Sequence, residues 1–579
     1  MTTATMARPA GPTGLRRLWY RELDHYPDQA RRYTMLGIVV LSTVILYYEN
    51  YIGGAVATQI LAGLHMSFNY YVYILVVANG LGAFASLAAG LADKFGRANL
   101  VAYGLVITGA LTLFGIPNAS TKMEFAVITA LLGVVEGVIL VATPALVRDF
   151  SPQLGRASAM GFWTLGPVVG SLVVSEVSSH TLKHLDAWQD QFIICGVVGL
   201  VVAALALVTL RELAPALRDQ LMVSMNDKAL IEARARGVDV DAAVANPRQV
   251  LTPGIVASAF AIGVFLLGYY TAVAFFPIFF QTVQGFTADQ ANGLLNWYWA
   301  SNAISLVVAG VLSDRLRVRK PFMLFGSVFA LVVTLIIRHV TPQTDISYSA
   351  WAFLLTCVGI YGGFAFACWM ASFTETVEAV NPALTAYGLA VWGWLLRVIV
   401  AVSFLILPHV ISSVTPLVEH GATVQAAATR EARYLPTVQA NQAFLNDVNA
   451  RYPDGNVPAD VQKAVVEKVG ADVALRLTTA EGKADFALLG TVGTQVQKAQ
   501  KDSPGQWQTW FLICALGQLF FIPMVFVLKG HWSPRKAREE AEAHEAMVDA
   551  ELRRMASPSV DIAAPRPAAD ETPRATPKH

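Results

Sequence analysis

Ala89-Gly90-Leu91-Ala92-Asp93-Lys94-Phe95-Gly96-Arg97 separates two apolar runs, and its reading decides the fold. The run before it, from Tyr70 to Ala88, is about twenty residues long, the length of a bilayer-spanning helix. The next apolar run opens at Leu100. A short basic turn between two spans has a physical logic. Gly96 permits a left-handed backbone, and Lys94 and Arg97 hold the turn on the cytoplasmic side. Asp93 can rest against the positive end of a neighbouring helix or against an arginine, which lets the turn latch two helix pairs together.

The pattern returns at Gly310-Val311-Leu312-Ser313-Asp314-Arg315, again at the end of an apolar span and again followed by charge at Arg317, Arg319 and Lys320. The chain therefore reads as two related halves. It resembles the major facilitator superfamily, whose loop between helices 2 and 3 carries G-x-L-a-D-R-x-G-R and repeats it weakly between helices 8 and 9. The first copy has Ala89 for the opening glycine, and the second has Arg317 for the later one.

Composition agrees with a membrane protein. Hydrophobic residues make up 55% of the 579-residue chain and charged residues only 14%, well outside the range of soluble domains. The first apolar run is about thirty residues long with no short core and cleavage site, so it is expected to stay as a signal anchor. Cys195, Cys357, Cys368 and Cys514 all fall within apolar runs. They read as small core residues, without a disulfide framework or a metal site.

The expected architecture is an all-α membrane protein of twelve transmembrane helices in two six-helix bundles. Residues 1–33 form a cytoplasmic leader, 34–210 the N-terminal bundle and 211–252 a cytoplasmic linker with a helix at 227–237. Residues 253–411 hold spans seven to eleven, 412–506 an extracytoplasmic helical insertion, and 507–530 span twelve. A charged cytoplasmic helix and a disordered tail fill 531–579. The basic pairs Lys94/Arg97, Arg148/Arg156 and Arg315 to Lys320 all fall in even-numbered connections, which places both termini inside a plasma membrane. In the insertion, Val461, Val465, Val469 and Val473 recur at helical spacing, and Pro453-Asp454-Gly455 marks a turn.

An ionisable residue in mid-span costs at least about 2.5 kcal/mol and is a functional hypothesis by default. Three stand out: Glu49 in span one, within Tyr47-Tyr48-Glu49-Asn50-Tyr51; Glu136 in span four; and Arg397 in span eleven. In the resembled fold spans one, four, seven and ten line a central cavity and eleven flanks it, which brings all three within reach of the interior. Glu49 and Glu136 are then the proton-coupling candidates, and Arg397, Asn50, Tyr361 and Asn296 the substrate-binding ones. The plain alternative is a static buried ion pair that only fixes packing.

Gly166-Pro167-Val168-Val169-Gly170-Ser171 resembles the antiporter motif G-P-x-x-G-G. Gly166 and Gly170 offer a small face for close helix approach, and Pro167 bends the helix, so a packing hinge between the halves is expected here. With Asp93, Lys94, Gly96, Arg97, Asp314 and Arg315 these residues form the expected gating set. The resemblance implies a secondary transporter that works by rocking its halves about a mid-membrane site. The preferred substrate is a small organic anion moved with protons. The alternatives are proton-driven export of drugs or lipophilic metabolites, and a non-transporting receptor whose insertion meets an extracytoplasmic partner. No cofactor, nucleotide-binding loop, enzymatic constellation or nucleic-acid surface is read from the sequence.

Overall fold

The structure is a computed structural model that describes residues 19–86, 95–151, 163–185, 187–214, 217, 247–380, 385–453 and 456–556. Asp93, Lys94, Arg156, the linker helix at 227–237, the Asp454-Gly455 turn and the tail after Ala556 lie outside the described residues.

The first half opens with β1 (Glu22–Leu23), which pairs in parallel with β2 (Glu212–Leu213) and so ties the leader to the end of span six. Between them run α1 (Gln29–Ala55), α2 (Ala57–Gly63), α3 (Phe68–Ser86), α4 (Arg97–Ala110), α5 (Lys122–Phe150), α6 (Gly166–Thr181) and α7 (Trp188–Thr209). Local chemistry sets the starts. Asp28 accepts a hydrogen bond from Arg31 N at 3.0 Å to cap α1, and Thr121 and Glu124 form a reciprocal capping box on α5. Span one is broken at Val56 just after Gly53-Gly54, residues with little helical preference.

The second half comprises α8 (Pro253–Phe265), α9 (Leu267–Thr282), α10 (Ala288–Leu316), α11 (Lys320–Val340), α12 (Tyr348–Val380) and α13 (Thr385–Val410). Span seven is also broken, at Leu266 between α8 and α9, with Gly263 and Gly268 on either side. After α13 come α14 (Val414–Arg430), α15 (Leu435–Ala440), α16 (Gln442–Arg451), α17 (Ala459–Val469), α18 (Ala471–Thr478) and α19 (Ala480–Leu488). A wide turn at Leu489–Gly493 then feeds α20 (Thr494–Phe521), followed by α21 (Met524–Val527) and α22 (Pro534–Ala556). The insertion thus has no break at 506: α20 runs through that point into span twelve.

Among the described residues eleven helical stretches are long and apolar enough to cross a membrane. Twelve are expected from the sequence. Span five, expected over roughly 157–178, is described only from Trp163, and its helix α6 has 16 residues.

Two ends of the bundle behave differently. At the insertion end, where α1 finishes and α10 begins, the halves share one apolar core that continues through the C-terminal bundle. At the opposite end, which carries the Asp314 loop, the N-terminal half has its own core of Met35, Val39, Val101, Leu146, Phe150 and Leu213. Inter-half hydrogen bonds also gather at the insertion end. Asn292 Nδ2 donates to Ala55 O at 3.0 Å, Thr58 Oγ1 to Gln281 Oε1 at 2.8 Å, and Asn296 Nδ2 to Ser179 Oγ at 3.2 Å. Beside them α1 and α9 touch backbone to backbone, since a Cβ on Gly54 would stand 2.5 Å from Val273 O.

Candidate functional site

Five consecutive residues of α1 point to different places because each step turns the helix by about 100°. Tyr47 and Tyr51, four apart, share one face, with ring centroids 5.3 Å apart and both rings half-buried. Tyr48 and Glu49 are buried and Asn50 is exposed. Glu49 therefore faces the interior of its own bundle, between α4 and α7. A Cβ on Gly199 of α7 would fall 2.0 Å from Glu49 Oε1, and Gly109 of α4 lies alongside. The Thr108 hydroxyl is near the carboxyl, and among the described residues neither Glu49 oxygen has a hydrogen-bond partner within bonding geometry. An ionised carboxylate so placed carries a large desolvation cost.

Glu136 is buried on α5, within electrostatic reach of Glu49, Tyr47 and Tyr51. It owes its place to glycines. A Cβ on Gly137 would stand 2.2 Å from Gly82 O, and one on Gly133 would stand 2.4 Å from Ala78 O, so α3 and α5 cross with their backbones in contact. Glu136 thus acts on the tyrosine face of α1, while the Glu49 carboxyl turns towards α4 and α7.

Arg397 on α13 is exposed at mid-helix. It donates to Ser86 Oγ of α3 at 2.8 Å, and no ion pair joins it to a described carboxylate. Its charge acts on Tyr47 from the first half and on Tyr270 from the second. Tyr269 and Tyr270 follow directly on the break at Leu266, half-buried, with ring centroids 5.1 Å apart. The Tyr269 hydroxyl lies beside those of Tyr51 and Ser171. Spans one, four, five, seven and eleven therefore converge on a mid-height cluster of four tyrosines, one carboxyl and one guanidinium.

Other expected site residues fall elsewhere. Tyr361 is buried in the second bundle against Phe265 and Phe329, near Thr334 and Gln518. Asn296 bonds Ser179 between the halves, at the insertion end. Gly166 and Gly170 face α1 of their own bundle and not the other half: added Cβ atoms would stand 2.6 Å from Thr43 Cγ2 and Tyr47 Cβ. Pro167 occupies the first turn of α6, where a proline costs no hydrogen bond. Most aromatic side chains of spans seven, eight and ten, such as Phe275, Trp299 and Trp369, are core packing.

At the loop end, Arg97 pairs with Asp149 of α5 at 2.9 Å, and its backbone N–H donates to Glu212 Oε2 at 2.8 Å. Gly96 has φ 87, and the matching position of the second copy, Arg317, has φ 53. Asp314 pairs with Arg319 at 2.6 Å, and Arg319 also reaches Glu375 of α12 at 3.1 Å and Ser313 Oγ at 2.7 Å. Arg315 is exposed. Each loop is thus pinned to the end of the fourth helix of its half. Neither Asp149 nor Glu375 is among the residues expected from the sequence. Their signal is position, an acid at the same end of spans four and ten.

A model of the Major Facilitator Superfamily matches residues 36–411. The chain belongs to that family. Its match stops at Ile411, where the insertion begins. The chain is 27% identical over 177 residues to the galacturonate transporter of Dickeya chrysanthemi, covering 29% of this chain and 49% of that one. It is 22% identical over 367 residues to multidrug resistance protein 3 of Bacillus subtilis strain 168, covering 55% and 69% respectively. Of the galacturonate transporter and two other curated relatives the chain spans less than half the length: 49%, 39% and 46%. A solved bacterial homologue of the human lysosomal transporter Spinster, inward-facing and unoccupied, superposes with a TM-score of 0.54 at 14% identity, covering 88% of this chain and all of the other. That likeness shows the fold: a multi-pass helical membrane protein of the facilitator type. Among the described residues no three His, Cys, Asp or Glu side chains stand together as metal ligands.

Proposed function

We propose that this superfamily member is a secondary transporter that moves a small organic carboxylate together with protons, by rocking of its two halves about the mid-height cluster. One observation carries the reading. Arg397 presents a permanently charged guanidinium at mid-depth with only a serine hydroxyl as its described hydrogen-bond partner. A planar carboxylate is the ligand that completes such a fork, through two parallel charge-assisted bonds. Galacturonate, transported by one relative, has that chemistry.

The protons are assigned to Glu136, which acts on the tyrosine face, and to Glu49, which turns towards α4 and α7. Asn50 and the half-buried tyrosines orient the substrate, and the paired loops, including Asp93 and Lys94, govern switching. The basic even-numbered connections support a plasma-membrane orientation with both termini and the loop end in the cytoplasm and the insertion outside. A second reading, proton-driven export of lipophilic compounds, is favoured by the tyrosine cluster and by the multidrug relative.

Calorimetric titration of purified protein with small carboxylates separates the two. Arg397→Lys weakens binding despite keeping the charge, and Arg397→Gln weakens it further, by at least about 2 kcal/mol. Unchanged carboxylate affinity in Arg397→Gln rules out this assignment. Improved binding of lipophilic cations in the same variant favours export.

A further inference from the structure

The insertion leaves the second half at α13 and returns to it at α20, and its neck is closed by one side chain. Ser413 N donates to Gln506 Oε1 at 2.9 Å, and Gln506 Nε2 donates to Ser412 Oγ at 3.2 Å. Leu417 and Val424 of α14 pack on Val496 and Ala499 of α20 in a small core of their own. By both connections α14 is fixed to the second half.

Yet α14 also lies on the first half. It packs on α2 and α3 as well as on α9. Val414 is fully buried in the core that the two halves share, and Val418 packs against it. Thr415 Oγ1 accepts a hydrogen bond from Phe68 N, the first residue of α3, at 3.2 Å. That amide is one of the N-terminal donors of α3 that no turn of the helix itself can satisfy. The inter-half bonds of Asn292, Thr58 and Asn296 lie at this same end.

We propose that α14 is a strap, anchored on the second half and latched on the first, which holds the insertion end closed. When the halves part at that end, α2 and α3 move away from α14, the Phe68–Thr415 bond breaks and the faces of Val414 and Val418 are uncovered. The strap therefore shifts the resting population towards the state open at the loop end, and its release accompanies each opening at the other. This rests on the rocking of the two halves assigned above, and not on the identity of the substrate.

Paired spin labels report the opening directly. Met123 at the start of α5 and Asp345 before α12 are exposed at the insertion end of opposite halves, and the four native cysteines are buried. With cysteine labels at these two positions, pulsed electron–electron resonance reads the distance distribution in lipid nanodiscs without any substrate. Thr415→Val, which keeps the shape and loses the acceptor, enlarges the long-distance population about fivefold, the equivalent of one net hydrogen bond. Thr415→Ser leaves the parent distribution. A short reducible cross-linker between cysteines at Ser67 and Thr415 removes the long-distance population, and reduction restores it. A Thr415→Val distribution that superposes on the parent's, or a cross-linked protein that still opens, overturns the strap. Because no carboxylate is added, neither outcome bears on the Arg397 assignment.

Discussion

Gly96 and Arg317 stand third after the loop aspartate of their copies, both at positive φ. Gly96 opens α4 at φ 87 and ψ 135, while Arg317 closes α10 in the left-handed helical region at φ 53 and ψ 31. Only glycine adopts either backbone without a Cβ penalty, about 1 kcal/mol in the left-handed helical region. Arg317→Gly is expected to raise the melting temperature of the detergent-solubilised protein. Gly96→Ala is expected to lower it, because the new Cβ would stand 2.2 Å from Glu212 Oε1. A fall in melting temperature for Arg317→Gly contradicts a strained left-handed backbone at Arg317. The same scale decides Glu49. Its presence in a span is legible in the sequence; its direction is not, since that depends on how α1 is rotated against α4 and α7. Gly109 and Gly199, which make room for the carboxyl, belong to no motif. Gly199→Ala should disturb proton coupling as Glu49→Gln does, with carboxylate binding retained. The check is the pH dependence of substrate accumulation in proteoliposomes, and an unaltered profile in Gly199→Ala removes Glu49 from the coupling role.

One helical stripe of the insertion was legible, but the assembly of its helices was not. The Val461, Val465, Val469, Val473 stripe predicts a single helical face. The structure breaks it at Gly470, with φ 89, so that Val469 ends α17 and Val473 lies on α18, both buried. The charges that join the pieces come from distant residues. Arg430 donates to Asp485 at 2.9 and 2.7 Å, and Arg476 bonds both Glu431 and Glu481. Two hydrogen bonds from Arg430 hold the Asp485 carboxyl below its ordinary range. A depressed carboxyl stabilises the fold in full above its unfolded value of about 3.9, and the contribution is lost as pH falls through the folded value. Acidification from about pH 6 to pH 3 should therefore lower the calorimetric unfolding midpoint of the insertion. In Asp485→Asn the midpoint starts lower and falls less. Equal slopes in parent and variant contradict the pairing. The run of α20 into span twelve escaped sequence reading because Lys498, Lys501, Asp502 and Pro504 read as a polar boundary. In the structure the helix carries them, with Ser503 and Trp507 buried on one side.

Across the whole molecule, the duplicated loop was sufficient to find two halves, because a turn between spans has few chemically sensible solutions. It says nothing of how the halves lean, which is a property of a state and is carried by contacts such as Asn292 to Ala55 and Thr58 to Gln281. The charges of the mid-height cluster were legible as ionisable residues at mid-span, and Arg397 and Glu136 both act on Tyr47. Tyr361 and Asn296 do not meet them in this way: one packs inside the second bundle and the other clamps the halves at one end. Sequence alone gives a residue's depth along its helix, and packing gives the face. The proposed function joins these parts: a carboxylate held by Arg397 and moved with protons. Its most direct test is accumulation of labelled small carboxylates by proteoliposomes under an imposed pH gradient, in the parent and in Arg397→Gln. The expected result is gradient-driven accumulation that collapses with a protonophore and is absent in Arg397→Gln; equal accumulation by the variant, or expulsion of lipophilic cations with no carboxylate movement in the parent, would contradict carboxylate–proton transport through Arg397.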